Sequence, residues 1–467
     1  MPTPINITGP SQSIDAKEPV NFLRVPGELD GEPALFLLGR YGLDLFSTIG
    51  GNAIRGMIEM KDIALVVAGN KCYTVANNGV TTEKGTLDTS TGIVGIAGNG
   101  LQVMIVDGTS GYIFTISGAT FAKITDADFS GGNDVSFING YFIVDNITGG
   151  TMQVSGLWAG STWNAVDKAT PEADPDGLVR VMPVHGDAWA MGETTIEPWY
   201  DASQPTGFPF LKRQGAYIDM GLAARWGACK ADNTLYWLAQ NKEGLFGIVR
   251  ANGYTPEKIS TPALDYELRG YSTVLDCEAW SFTDRGHTLI YFTFPTAGKT
   301  KCFDATMGMW SEDQSWGLST YRCRFHMFFN QAHILGDRTT GKLYMVNWNT
   351  YRDNGDPIES IGYAQYIGAM GLPLEINSLK VLAKVGVGPM EESGQEEPML
   401  MLEWSKDNKK TWSNSIWRSL GWQGQYKKRV IFNRLGTSEN WDLRIKITSP
   451  CERLIKGAIA NPQVGVE

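Results

Sequence analysis

A short apolar run, a two-residue polar turn and a second apolar run recur between about residues 20 and 347. The turns sit at Gly69-Asn70, Asp107-Gly108, Asn139-Gly140, His185-Gly186, Asp232-Asn233, Arg285-Gly286 and Asn330-Gln331. Asn-Gly and Asp-Gly between apolar runs mark hairpins, because both central residues of a type I′ turn need positive φ. The turns are about 32 to 53 residues apart. Three or four strands per interval of that length is the pattern of propeller blades. The pattern predicts an all-β chain with a β-propeller of six or seven irregular blades over 20–347, a many-stranded sandwich being the competing architecture. Composition agrees. Gly and Pro together number 75, aromatics make up 11% and charged residues only 19%. The charged fraction is usually about 25%.

Residues 1–19 are polar and proline-bearing and read as an N-terminal arm. Residues 348–375, rich in Gly, Asp and Asn, read as a linker or crossover with a short strand near Ile361–Ile367. Residues 376–467 read as a second, β-sandwich-like module with strands at Ser378–Val385, Met399–Trp404, Tyr426–Phe432 and Trp441–Ile447. Gly386–Pro398, carrying four glutamates, reads as an exposed hairpin tip. The best helical segment is Pro262–Arg269.

Charge and motifs exclude several function classes. Fifty acids against 40 bases leave a net charge of −10, the wrong sign for gripping DNA through its phosphates. An acidic wall would instead let a duplex slide past. The six cysteines, Cys72, Cys229, Cys277, Cys302, Cys323 and Cys451, form no CxxC pair and read as buried thiols in a reducing compartment. No signal peptide opens the chain and no apolar run spans a bilayer, so synthesis in a cytoplasm without stable membrane insertion is expected. Gly298-Lys299-Thr300 is not a P-loop, since Thr293 stands where the first glycine belongs. No nucleophile elbow, HExxH, HxH or Cys/His cluster is present. His185, His287, His326 and His333 read as turn or core residues. No catalytic, cofactor-binding or metal-binding residue is predicted.

Ser405, Asp407, Thr411 and Trp412 match an Asp-box, a hairpin turn in which the carboxylate accepts main-chain N–H bonds, with Lys409 in place of the glycine. These four residues are predicted to be structural. Lys427, Lys428 and Arg429, with Arg434, Arg444 and Lys446, make a locally basic block that reads as a solvated or subunit-facing surface. Tyr236-Trp237 and Tyr291-Phe292 read as core pairs, because adjacent strand residues face opposite sides.

Three stretches carry a resemblance. Val20-Asn21-Phe22-Leu23 is followed by Arg40-Tyr41-Gly42-Leu43-Asp44-Leu45-Phe46, with Tyr41 where proline is common. Thr195-Ile196-Glu197-Pro198-Trp199-Tyr200 lies mid-chain. Glu403–Asp407, Thr411–Ser413, Ser419–Gly421, Tyr426–Val430, Arg434–Gly436 and Leu443–Ser449 follow in order near the end. Together they resemble the packaged-DNA stabilisation proteins of short-tailed bacteriophages, the tail accessory factors of the hub or nozzle. The resemblance implies a virion tail protein forming a homo-oligomeric, hexameric ring below the portal-adaptor ring. Such a ring would contact a needle or plug and tailspikes or fibres, with double-stranded DNA passing through its lumen. It would extend the DNA channel and help retain and then eject the genome, without catalysis or cofactors. The alternative is a sialidase-like glycoside hydrolase or polysaccharide-degrading tail enzyme, for which one degenerate Asp-box is the main support. It requires arginines and paired carboxylates converging at the propeller mouth. A third reading, a carbohydrate-binding fibre adaptor, requires aromatics lined up on one surface.

Overall fold

The computed structural model describes residues 3–5, 17–29, 31–147, 150–171, 176–204, 206–364, 367–368, 372–391 and 394–464. Two compact units form. Unit 1 gathers Met1–Asp44, Lys299–Tyr321 and Val346–Glu467, and unit 2 gathers Leu45–Gly298 and Arg322–Met345.

Unit 2 is the propeller. Its sheets open with Ile54–Met60, Gly95–Gly98, Val135–Ile138, Leu178–Val184, Ala228–Ala231, Glu278–Asp284 and Cys323–Phe329, which we number blades 1 to 7. Blades 1 to 6 continue outward as antiparallel meanders, for example Ile54–Met60, Ile63–Ala68, Lys71–Ala76 and Thr81–Thr86 in blade 1, whereas blade 7 takes Gly42–Thr48 as its fourth strand. The opening strand of blade 7 packs against that of blade 1, so the ring closes. Blade faces interlock through apolar side chains. Met57, Val66, Val75, Met327, Ile334 and Leu343 fill the seam between blades 7 and 1. Gly341 lies at this closure, where an added Cβ would overlap the Ile49 carbonyl oxygen.

The turns obey the stereochemistry that their sequences require. Both central residues have positive φ at Asn139-Gly140, His185-Gly186, Asp232-Asn233, Arg285-Gly286 and Asn330-Gln331. These five join the first and second strands of blades 3 to 7. The turns at Gly69 and Asp107 instead join second and third strands, in blades 1 and 2. The first turns of those blades are at Lys61-Asp62 and Asn99–Leu101. Part of the uneven spacing therefore comes from two classes of turn read as one. At Asp107 the carboxylate Oδ1 accepts from Thr109 N at 3.0 Å and Ser110 N at 2.8 Å, so an Asx turn replaces the I′ turn. Pro262–Arg269 is an α-helix, with Thr261 Oγ1 accepting from Leu264 N at 3.2 Å as its N-cap.

Unit 1 contains the sandwich. One sheet runs Phe22–Leu29, Glu32–Gly39, Leu454–Val464, Leu374–Ala383, Val430–Ser438, with Thr3–Ile5 on Leu454–Val464. The other runs Ser360–Tyr363, Asn440–Ile447, Met399–Ser405, Ile416–Ser419. Phe22, Leu37, Ile376, Leu402, Phe432 and Trp441 belong to the core of this unit.

Several expected boundaries move. Phe22–Gly39 belongs to the sandwich and not to the propeller, because it pairs with Leu454–Val464 from the far end of the chain. The hairpin of Lys299–Asp304 and Met309–Glu312 forms the outer half of the blade 6 sheet. The expected linker carries Ser360–Tyr363, which pairs with Asn440–Ile447. Gly386–Pro398 is no hairpin tip, since the strands before and after it lie in different sheets. Lys427–Arg429 precede the strand that starts at Val430, so they do not alternate across a sheet, and all three are exposed. Most of the expected arm, 1–2 and 6–16, lies outside the described residues.

Candidate functional site

The opening strands of all seven blades surround an axial cavity of about 450 Å³ in unit 2. Met57, Ser136, Met182, Trp226, Trp280 and His326 are among its lining residues. Runs of consecutive residues line it, Val135–Phe137 and Glu278–Ser281 among them.

Arginines tie the blades to one another, and two of them, Arg180 and Arg324, line this cavity. Arg55 of blade 1 donates to the carbonyls of Thr89, Thr91 and Gly92, each at 2.7 Å, in the loop leading to blade 2. Arg180 of blade 4 bonds Asp134, just ahead of blade 3, at 2.5 Å and the Ala228 carbonyl of blade 5 at 3.1 Å. Arg225, leading into blade 5, pairs with Asp145 of blade 3. Arg324 of blade 7 donates to the Ile54 carbonyl of blade 1 at 2.9 Å. It also faces Glu278 of blade 6 at 3.4 Å, and Arg338 reaches the same carboxylate at 2.6 Å. Guanidinium supplies five donors in a rigid fork, which suits it to clasping two strands at once. Burial pushes the Asp145 carboxyl up to about 6, and Asp134 nearby pushes the same way, while Arg225 opposes both.

This geometry bears on chemistry. Arg180 and Arg324, the cavity-lining arginines, each hold a carboxylate and a main-chain carbonyl. Burial pushes the Cys229 thiol up to about 12, far from a thiolate at neutral pH. Burial lowers His326 to about 3, with His333 pushing it down further, so its ring stays neutral. No group of three or more His, Cys, Asp or Glu side chains is arranged to hold a metal among the described residues. No helix among them is long and apolar enough to cross a membrane.

Many of the resemblance-bearing residues fall in unit 1 on buried polar nodes, and others lie in unit 2 on blades 4 and 7. Asn21, with φ of 54°, accepts from Arg40 Nε at 2.8 Å and Gln314 N at 3.0 Å. Its amide donates to the carbonyls of Gln314 and Glu359 at 2.9 and 2.7 Å. Arg40 grips Asp353 with two bonds, at 3.0 and 2.6 Å, and lies over the Tyr321 ring. Thr195, in blade 4, donates its N–H to Asp176 at 2.9 Å. Glu403 takes Arg444 and, at 3.2 Å, Lys446, two members of the basic block. Lys428, a third, pairs with Glu397 at 2.8 Å. Sequence reasoning missed Asp353 and Gln314, whose contacts with Arg40 and Asn21 depend on long-range pairing.

At the Asp-box-like turn, Ser405 Oγ donates to Asp407 Oδ1 at 2.7 Å and Thr411 N to the same oxygen at 2.9 Å. Thr411 Oγ1 donates to Asp407 Oδ2 at 2.5 Å. Trp412 lies under the Arg444 guanidinium, 4.0 Å from its ring centroid. Lys409 itself takes the left-handed conformation, φ 66°, that glycine normally supplies. The Thr411 and Ser405 bonds hold the Asp407 carboxyl down at about 2. Its folded value lies below the ordinary ~3.9. The linked stability is therefore present above ~3.9 and lost as pH falls through about 2. We expect Thr411→Val to raise the Asp407 midpoint toward 3.9 in a carboxyl NMR titration.

The chain thus combines a propeller whose blades are tied by arginines with a β-sandwich. The chain matches the family model for the β-propeller of bacteriophage P22 Gp10 over residues 8–351 and the one for its β-sandwich over 362–462. It belongs to the bacteriophage P22 Gp10 family of phage structural proteins. No curated protein matches it in sequence. Among solved structures it is similar to the extracellular domain of a one-component system of B. thetaiotaomicron, at 13% identity and TM-score 0.46, covering 92% of this chain and 61% of that one. It is also similar to the N-terminal domain of Nup159, at 9% identity and TM-score 0.39, covering 71% and 99%.

Proposed function

We propose that the protein is a tail hub or nozzle subunit, assembling as a ring, six copies by family resemblance, beneath the portal-adaptor ring. The observation that carries this reading is the family match across both the propeller and the sandwich. The arginine clasps suit it, because a channel wall under packaged-DNA pressure must not let its blades part. The ring would extend the DNA channel, help retain the genome and release it on ejection. A portal adaptor, a needle or plug, and tailspikes or fibres are its partners in this reading. Six copies at −10 each carry −60, which favours sliding over adhesion where that charge faces the lumen. Its role is mechanical and non-catalytic, exercised in the virion after synthesis in the host cytoplasm. Ser405, Asp407, Thr411 and Trp412 act in it as a turn staple.

A sialidase-like hydrolase needs arginines available to a substrate carboxylate, whereas Arg180 and Arg324 are engaged in inter-blade bonds. Tyr236, Trp237, Tyr291 and Phe292 are all buried, so none offers a sugar platform. Particles packaged without the protein should lose nuclease-protected DNA within hours, and adding it back before that loss should keep the DNA protected. Equal DNA retention with and without it would contradict the assignment.

A further inference from the structure

Among the described residues the exposed tryptophans are Trp158, Trp316 and Trp417, at 49%, 50% and 51%. A single exposed apolar side chain is ordinary, but two bare indoles on one cavity are not. Trp158 leans on Phe137, with ring centroids 5.4 Å apart. Trp316 and Trp417 neither stack on another ring nor donate a hydrogen bond among the described residues. They lie far apart in sequence, yet both line one cavity of about 480 Å³ within unit 1.

The cavity is held in shape from behind. Gln314 N donates to Asn21 at 3.0 Å. Ser315 donates its Oγ hydrogen to Asp353 Oδ2 at 3.3 Å and its N–H to the Thr320 carbonyl at 3.2 Å. Trp316 is thus carried outward on a loop anchored in the buried node around Arg40. Trp417 stands on the edge strand Ile416–Ser419, opposite Met401. Met399 N donates to Ser449 Oγ at 3.0 Å, which fixes another part of the wall. Such a site is pre-formed, so a ligand loses little free energy to ordering it.

The lining identifies the ligand's chemistry. Six of the fifteen lining residues carry polar side chains, Arg352, Glu396, Thr448 and Ser449 among them. Their charges balance. Glu397 is paired with Lys428 at 2.8 Å, which leaves the Glu396 carboxylate against the Arg352 guanidinium. Arg352 uses Nη1 on the Gly355 carbonyl at 3.0 Å, one of its five donors. A cationic ligand needs an excess of carboxylates beside the rings, and an anionic one an excess of cations. A pyranose ring needs neither: its C–H face packs on an indole while its hydroxyls bond donors and acceptors at the rim.

We propose that this cavity binds a neutral oligosaccharide, with Trp316 and Trp417 as its stacking faces and Arg352, Glu396, Thr448 and Ser449 bonding the hydroxyls. Its volume is that of a small-ligand pocket. Sugar binding here is independent of ring assembly, since every group that forms the cavity belongs to one unit of one chain.

The test is an array of neutral oligosaccharides of glucose, galactose, mannose and rhamnose, probed with the full-length protein, then a tryptophan-fluorescence titration with the tightest binder. We expect saturable binding that weakens about 10-fold in Trp316→Ala and in Trp417→Ala, with Trp417→Phe retaining part of it. Trp158→Ala should bind as the parent does. Saturation-transfer NMR on the unaltered protein should mark the sugar's C–H protons, a readout that stands even where a variant misfolds. No array member bound at millimolar sugar, binding that survives both alanine variants, or a proline-rich decapeptide held by the same indoles in place of sugar would overturn the proposal.

Discussion

Replacing Arg40 with Met should destabilise unit 1 by about 3–5 kcal/mol, the usual loss when a buried ion pair is left with one partner. Arg40 is 1% exposed and Asp353 is fully buried. Burial works against the guanidinium charge, but Asp353, Tyr321 and Asp313 more than offset it and hold the group firmly protonated. Truncation would strand the Asp353 carboxylate in the interior and remove a donor to Asn21. The measurement is the chemical-denaturation midpoint, with hydrogen exchange reporting on Phe22–Gly39 and Leu454–Val464. The double variant Arg40→Met/Asp353→Asn should recover part of the loss, since it removes the stranded charge. A double variant no more stable than the single one would show that packing, not charge, carries the effect.

The second large effect is expected at Glu278. Its carboxylate takes Arg324 and Arg338, whose side chains are 11% and 9% exposed. Glu278→Ala removes the carboxylate shared by two largely buried guanidinium groups and should cost about 3 kcal/mol. The loss should be local. Amide exchange should accelerate in Glu278–Asp284 and Cys323–Phe329, the opening strands of blades 6 and 7, before Val135–Ile138 or Leu178–Val184 respond. Uniform acceleration across all blades would contradict a clasp acting between neighbours.

How far these features could be read from sequence depends on how local their causes are. Asn139-Gly140, Arg285-Gly286 and the other first turns were legible because positive φ restricts residue choice at two adjacent positions. The sequence leaves the blade count at six or seven because the blades share no fixed motif such as Trp-Asp, and Gly69 and Asp107 open a different kind of turn from Asn139. Pro262–Arg269 was legible for the same local reason, a Thr cap ahead of a proline-led turn. Phe22–Leu29 was assigned to the wrong unit because an apolar strand does not name its partner. Phe22–Leu29 pairs locally with Glu32–Gly39, and that strand in turn meets one from more than 400 residues away, as in the pairing of Leu37 with Ile455.

The axial site was hidden more deeply. Arg180, Arg225 and Arg324 look like ordinary charged residues near strand starts, and only ring closure brings each to another blade. The resemblance pointed to Asn21 and Arg40 without a reason. The structure supplies one: both lie in a buried hydrogen-bonded node in which almost every donor and acceptor geometry is specified. Trp316 and Trp417 were invisible as a pair because their meeting at one cavity depends on the folding of unit 1, which no local motif records.

The most direct measurement is the solution mass of the purified protein by light scattering, alone and mixed with its tail adaptor ring. The account predicts a complex containing six copies of the 51.2 kDa chain, forming on the adaptor even where the protein alone is monomeric. A chain that stays monomeric in both conditions, above all one that releases sugar from capsular or sialylated glycans, would contradict it.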